Sequence, residues 1–273
     1  MELVDRVGAL SKDEVLAHYQ LVSPLMEKIF GSIPIVWTTP NSEANQPPIY
    51  HGRFFGHYSH LSSEHVQHLA SIGAQEFHSW FPLVDDPARA RFARFLLERQ
   101  SDDTTAACEN DVRTGCQILN ELLKADGFGA IPVLDGVGGV SIFVPLTDGP
   151  SYEEVRMWAH AVARKAIAGN PNLFSEAPNT HADGRVHIHV SSNAEGRWSI
   201  LPYSLRGGNG RVATPVSWDE LQTVDMRGTT LNDFASRLAA KGDVFGAMLQ
   251  NLPSGAIHPV SVQTLAAGHA APS

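Results

Sequence analysis

Cysteine is nearly absent from the chain. Cys108 and Cys116 are its two examples, eight residues apart on one predicted helix, too few and too poorly spaced for a disulfide framework or a zinc site. No apolar run approaches the roughly 20 residues that a membrane helix needs, and the N-terminus lacks the basic-then-apolar pattern of a secretory signal. A cytoplasmic protein without a membrane segment is the expectation. An excess of basic residues is also missing: the net charge is -9, which argues against a nonspecific, high-affinity nucleic-acid binder and leaves room for a local basic groove. Histidine, by contrast, is abundant at 13 residues, several of them between His51 and His78, but no spacing among them gives a standard helical metal pair.

The most informative stretch runs from Gly184 to Trp218. Its first part alternates as a strand half buried against a core would, with Val186, Ile188 and Val190 on one side and His187 and His189 sharing the other. Asn193-Ala194-Glu195-Gly196 is a predicted turn, and Trp198 to Leu201 a second short strand that Pro202 ends. Arg206 then stands beside Gly207 and Gly208. A planar guanidinium next to glycines suits bidentate phosphate recognition; the same pattern also describes a surface arginine in a flexible loop.

Elsewhere, Ser11 caps a predicted helix whose apolar stripe includes Val15, Tyr19, Val22, Met26 and Ile29, with Pro24 as a point of kinking. Strands are predicted at 33–38, 50–58, 92–97, 131–134 and 140–145, and helices at 106–125, 152–167 and 231–238. The 273 residues suffice for a full core. One module over residues 1–260 is expected, with a small, polar, loose tail at 261–273.

Several elements in this order carry a family resemblance. The succession of strand, Asn193, strand, Pro202-Tyr203-Ser204-Leu205-Arg206, Thr214-Pro215 and Trp218-Asp219-Glu220-Leu221 resembles the polymerase domain of bacterial ligase D, a member of the archaeo-eukaryotic primase superfamily. Gly73-Ala74-Gln75-Glu76-Phe77-His78-Ser79-Trp80 followed by Asp85-Asp86-Pro87 is its most specific part, and the resemblance covers roughly residues 10 to 250. It implies an α+β primase-polymerase-like fold, two mixed β-sheet subdomains flanked by helices around a central cleft.

Matched residue by residue, the resemblance also implies roles. Lys12 matches a lysine that holds a downstream 5′-phosphate, Phe54 and Phe55 match aromatics that stack on template bases, and Arg206 and Asn193 match nucleotide- and phosphate-binding positions. The family's Asp-x-Asp pair falls on Leu96 and Glu98 and its third carboxylate on His189, so one acid of three survives. The triphosphate-contacting serine and lysine fall on Asp135 and Gly138, and a histidine on Ser141.

Three functions follow as expectations. In the first, the protein holds DNA ends or nucleotides in non-homologous end joining, with polymerase activity lost or strongly reduced, beside partners such as a ligase and a Ku-like protein. In the second, Glu98 and His189 are catalytic in a rebuilt site where Glu98, His187 and His189 bind manganese or magnesium, a mixed donor set that suits manganese or zinc better than magnesium. In the third, the chain is a protein-interaction domain with no nucleic-acid role.

Overall fold

The structure, a computed structural model, describes residues 6–7, 10–41, 47–54, 57–99, 106–175, 184–206 and 210–257. The expected tail at 261–273 and the match at Phe55 lie outside them. In chain order β1 (Arg6–Val7) and β2 (Leu10–Ser11) precede α1 (Lys12–Phe30). Then come β3 (Pro34–Thr39), β4 (Ile49–His51), β5 (Arg53–Phe54), β6 (His57–His60), α2 (Ser63–Ser71) and β7 (Glu76–Ser79). The middle of the chain forms β8 (Phe92–Glu98), α3 (Ala106–Ala125), β9 (Ile131–Leu134), β10 (Val140–Pro145) and α4 (Tyr152–Gly169). The last part holds β11 (Phe174–Ser175), β12 (Val186–His189), β13 (Ser199–Ile200), β14 (Leu205–Arg206), β15 (Arg211–Val212) and β16 (Thr214–Pro215), followed by α5 (Leu231–Lys241) and α6 (Val244–Asn251).

Two six-stranded sheets organise these elements. The first has the order β11-β12-β8-β10-β9-β16 and is mixed, because β11 and β12 run parallel while the other pairs are antiparallel. The second has the order β13-β7-β3-β6-β5, with β4 also on β3, and its pairs are antiparallel. Helices α3 and α4 cover one face of the first sheet and enclose a core of Phe95, Leu97, Val112, Leu119, Trp158 and their neighbours. A second core joins α1 and α2 to the second sheet and reaches Ile131, Val133 and Phe143 of the first. No helix of the described residues is long and apolar enough to cross a membrane.

Local sequence explains most boundaries. Ser11 and Glu14 close a capping box at the start of α1, and Ser151 with Glu154 repeats it on α4; each pair satisfies backbone donors that a helix start leaves open. Pro24 lies inside α1 without ending it.

Two expectations need correction. The strand expected over 50–58 is three short pieces. Gly52, at φ +144°, breaks the ladder where a Cβ would lie 2.8 Å from a Val36 methyl, so β4 pairs with β3 while β5 pairs with β6. The histidine strand departs from expectation at one residue: Val186, Ile188 and Val190 pack on the core and the His189 side chain is 24% exposed, but His187 is only 3% exposed.

The second core holds a titratable group. His18 is buried, with Nε2 2.9 Å from the Tyr203 carbonyl, so the neutral ring donates to it. Burial lowers its pKa to about 4, although the hydrogen bond works the other way. The fold therefore favours the unprotonated ring. That stability is complete above the unfolded value of about 6.5 and is lost as pH falls from there toward 4. The urea midpoint is expected to drop across this window, and His18→Gln to flatten that part of the profile. A native profile already flat between those pH values would refute the assignment.

Candidate functional site

Alternation along β8 decides what faces the cleft between the sheets. Ala93, Phe95 and Leu97 point into the α3–α4 core. Arg94, Leu96 and Glu98, on the other face, line a cavity of about 320 Å³ together with Asp135, Ser199 and Arg206. Tyr50, His78 and Trp198 complete much of its rim, and Tyr50 and Trp198 are exposed.

The neighbouring strand sets the register of the candidate metal ligands. On β12, His187 lies opposite Glu98 and His189 opposite Leu96. The contact that forms is diagonal: His189 Nε2 is 3.0 Å from Glu98 Oε1. His187 is buried beside them, its ring centroid 5.9 Å from that of His189. Glu98, His187 and His189 do not converge as a ligand set; among the described residues no three His, Cys, Asp or Glu side chains do. A two-ion clamp needs several acidic oxygens converging on both ions. Here one carboxylate and one imidazole meet, and Leu96, at the position of a family aspartate, offers no donor. The residues present do not fit that clamp.

A guanidinium occupies the floor instead. Arg94 is 9% exposed, its Nε and Nη2 donating to Ser141 Oγ at 3.1 and 2.8 Å and its Nη1 to Ser199 at 2.9 and Ser192 at 3.2 Å. Burial pulls its pKa down to about 10, which Asp135 and Glu98 oppose through their charges and Arg206 reinforces. It is therefore still a cation at neutral pH. Sequence reasoning missed this residue, although a signal was present: Phe-Ala-Arg-Phe-Leu-Leu-Glu places a cation inside an apolar strand whose other charge, Glu98, is at its end.

Asn193 has a structural task. Its Oδ1 accepts the Arg94 N–H at 2.8 Å, and its Nδ2 donates to the Arg94 carbonyl at 2.7 Å and the Val190 carbonyl at 2.9 Å. The side chain is buried and its amide is spent within the protein, so it is not presented to a nucleotide as the resemblance implied.

Arg206 sits on β14 at the cavity wall, its Nη1 3.9 Å from Glu76 Oε2. The glycine-rich loop packs against it: Gly136 has φ +84°, and a Cβ there would lie 2.9 Å from the Arg206 Cβ. Asp135 ties this loop down, its Oδ1 accepting the Val137 and Gly139 N–H groups, each at 2.9 Å.

Lys12 begins α1 and does not line the cavity. Phe54 lies on β5, in register with His57 of β6. Among the described residues, Tyr50 and Trp198 are aromatics at the cleft mouth, the latter set edge-on against Trp80 and Tyr58 with centroids 5.2 and 5.6 Å away. Neither was legible as a site residue, because single aromatics beside turns are common on any surface.

Comparisons with known proteins give this geometry a family. Over 185 residues, 65% of this chain, it is 28% identical to the bifunctional non-homologous end joining protein LigD of Bacillus subtilis, and the match covers 29% of that protein. A multifunctional non-homologous end joining protein LigD of Pseudomonas aeruginosa is 25% identical over 193 residues, 70% of this chain and 21% of the relative. The chain thus spans under a third of the length of these relatives. A solved structure of the polymerase domain from Mycobacterium tuberculosis ligase D in complex with DNA superposes with a TM-score of 0.77 at 21% identity, covering 89% of this chain and 93% of that one. The family model described as LigD, primase-polymerase domain matches residues 56–245, well over half of the chain, and the chain belongs to that family.

Proposed function

We propose that this protein binds DNA ends or nucleotides as a member of the end-joining primase-polymerases and has lost template-directed polymerisation. The observation that carries the reading is the floor of the cleft. Leu96 and His189 stand opposite each other where the resemblance implies carboxylates, and a buried Arg94 cation lies on the same strand face. Without converging carboxylates, two divalent ions have no clamp, and the charge that develops on a transferred phosphoryl group has no comparable stabiliser. What supports ligand binding is the open cleft itself, with Arg206 on its wall and aromatic side chains at its mouth, where stacking on a base tolerates any sequence. Partners in end joining, a ligase or a Ku-like protein, belong to this proposal too.

The test is nucleotide incorporation on gapped DNA with a 5′-phosphate, with manganese, for the native protein, Glu98→Ala and His189→Ala. The expected rate is at least about 10³-fold below that of a family member with all three carboxylates, with DNA binding that weakens as salt rises. Incorporation that both substitutions abolish would mean an active manganese enzyme built on Glu98 and His189, and would overturn the loss of polymerisation. Absence of DNA binding at low salt would favour a protein-interaction domain.

A further inference from the structure

The mismatch between the cleft and a metal clamp has a positive counterpart. Every polar contact of the Arg94 guanidinium is a serine hydroxyl, and among the described residues no carboxylate touches it. The hydroxyls orient the cation without forming an ion pair with it, and Asp135 and Glu98 act on it only through their charges at longer range. The nearby carboxylates are already engaged by other groups. Asp135 accepts two backbone N–H groups, Glu76 Oε2 lies 2.9 Å from His78 Nε2 and 3.9 Å from Arg206 Nη1, and Glu98 lies against His189. Arg94 and Arg206 both line the same cavity, whose volume of about 320 Å³ is at the lower end of small-ligand sites.

We infer that Arg94 takes the place of divalent ions as the fixed positive charge of the cleft, and that Arg94 and Arg206 together bind the phosphate chain of a nucleoside triphosphate without metal. The three serines hold the guanidinium in one orientation, so no side-chain entropy is lost when the anion arrives. Trp198 and Tyr50, on the rim of the same cavity, provide aromatic faces for the base. This inference rests on the reading that the cleft holds nucleotides, and adds to it which charge holds them.

Calorimetric titration with inorganic triphosphate and with ATP, in excess EDTA and again with manganese, tests it. Binding is expected in EDTA, changing by less than about threefold when manganese is added. Arg206→Met, at a partly exposed position, and Arg94→Met are each expected to weaken it about tenfold or more. Arg94→Lys keeps the charge without the planar fork and is expected to fall between native and Arg94→Met. Circular dichroism shows which variants fold; where Arg94→Met does not, Arg94→Lys and the native comparison with and without metal decide. Binding that requires manganese, or a folded Arg94 variant that binds as tightly as native, would overturn the inference. So would no binding of either probe, and gapped DNA then separates the two claims: if DNA is still bound, the proposed function stands and this site alone falls.

Discussion

Asn193→Ala is expected to lower the stability of the protein by about 4 kcal/mol. The substitution removes three buried hydrogen bonds and leaves both the N–H and the C=O of Arg94 without their side-chain partner in a place water does not reach. Each such orphaned group costs roughly 1 to 3 kcal/mol, more than the bond itself contributes, because its desolvation is no longer offset. Asn193→Asp discriminates further. It keeps an acceptor for the Arg94 N–H but turns the amide donor into a carboxylate facing two carbonyl oxygens, so it is expected to be nearly as damaging as alanine. Urea denaturation measures both. A loss below about 1 kcal/mol for alanine would mean that the clamp is not what holds this turn to β8.

On the other face of the same strand, Trp158→Ala is expected to cost about 4 kcal/mol. Among the described residues Trp158 is the largest fully buried side chain, with Phe128 and Phe95 rings 4.7 and 5.7 Å away by centroid. Truncation removes its transfer free energy and leaves a void that two aromatic neighbours, fixed on separate elements, cannot collapse to fill. Trp158→Phe refills much of the space and is expected to cost less than half as much. The substitution also carries a functional reading. Phe95 lies between Arg94 and Leu96 on β8, so a softened core behind it loosens the floor of the cleft. Anion binding is expected to weaken in Trp158→Ala even at temperatures where the variant is fully folded.

The parts of the molecule legible in the sequence are those where one signal dominates. Helix α3 and strands β9 and β10 match their expected bounds, because a 3.6-residue apolar stripe ending at Gly127, or a short apolar run between glycines, leaves no competing reading. Cys108 and Cys116, readable from the sequence as small core or surface residues, are both buried. The expected fold class holds because the family resemblance supplied long-range order that periodicity cannot.

The misses have a common cause in tertiary context. His187 and His189 share a face as their alternation implies and His189 is partly exposed, but His187 is buried, and no local pattern reveals what packs over that one position. The resemblance places Asn193 at the ligand by position alone. Its actual partners, the backbone groups of Arg94, are distant in sequence and visible only once β8 and the turn after β12 lie together. Arg94 is not legible from the resemblance, which bears on Leu96 and Glu98 further along the strand and assigns no role to the position Arg94 occupies.

The placement of the strands between Val186 and Pro215 bears on how this chain folds. β12 and β16 belong to the first sheet and β13 to the second, where it joins β7. A nascent polypeptide that has left the ribosome only through α4 therefore lacks outer strands of both sheets, whatever helices it has already formed. Pairings such as Thr214 with Leu134 and Ser199 with Ser79 close long loops, which slows the search for the native topology. The two sheets are completed together, by one late segment, so folding during synthesis cannot finish one half of the molecule before the other.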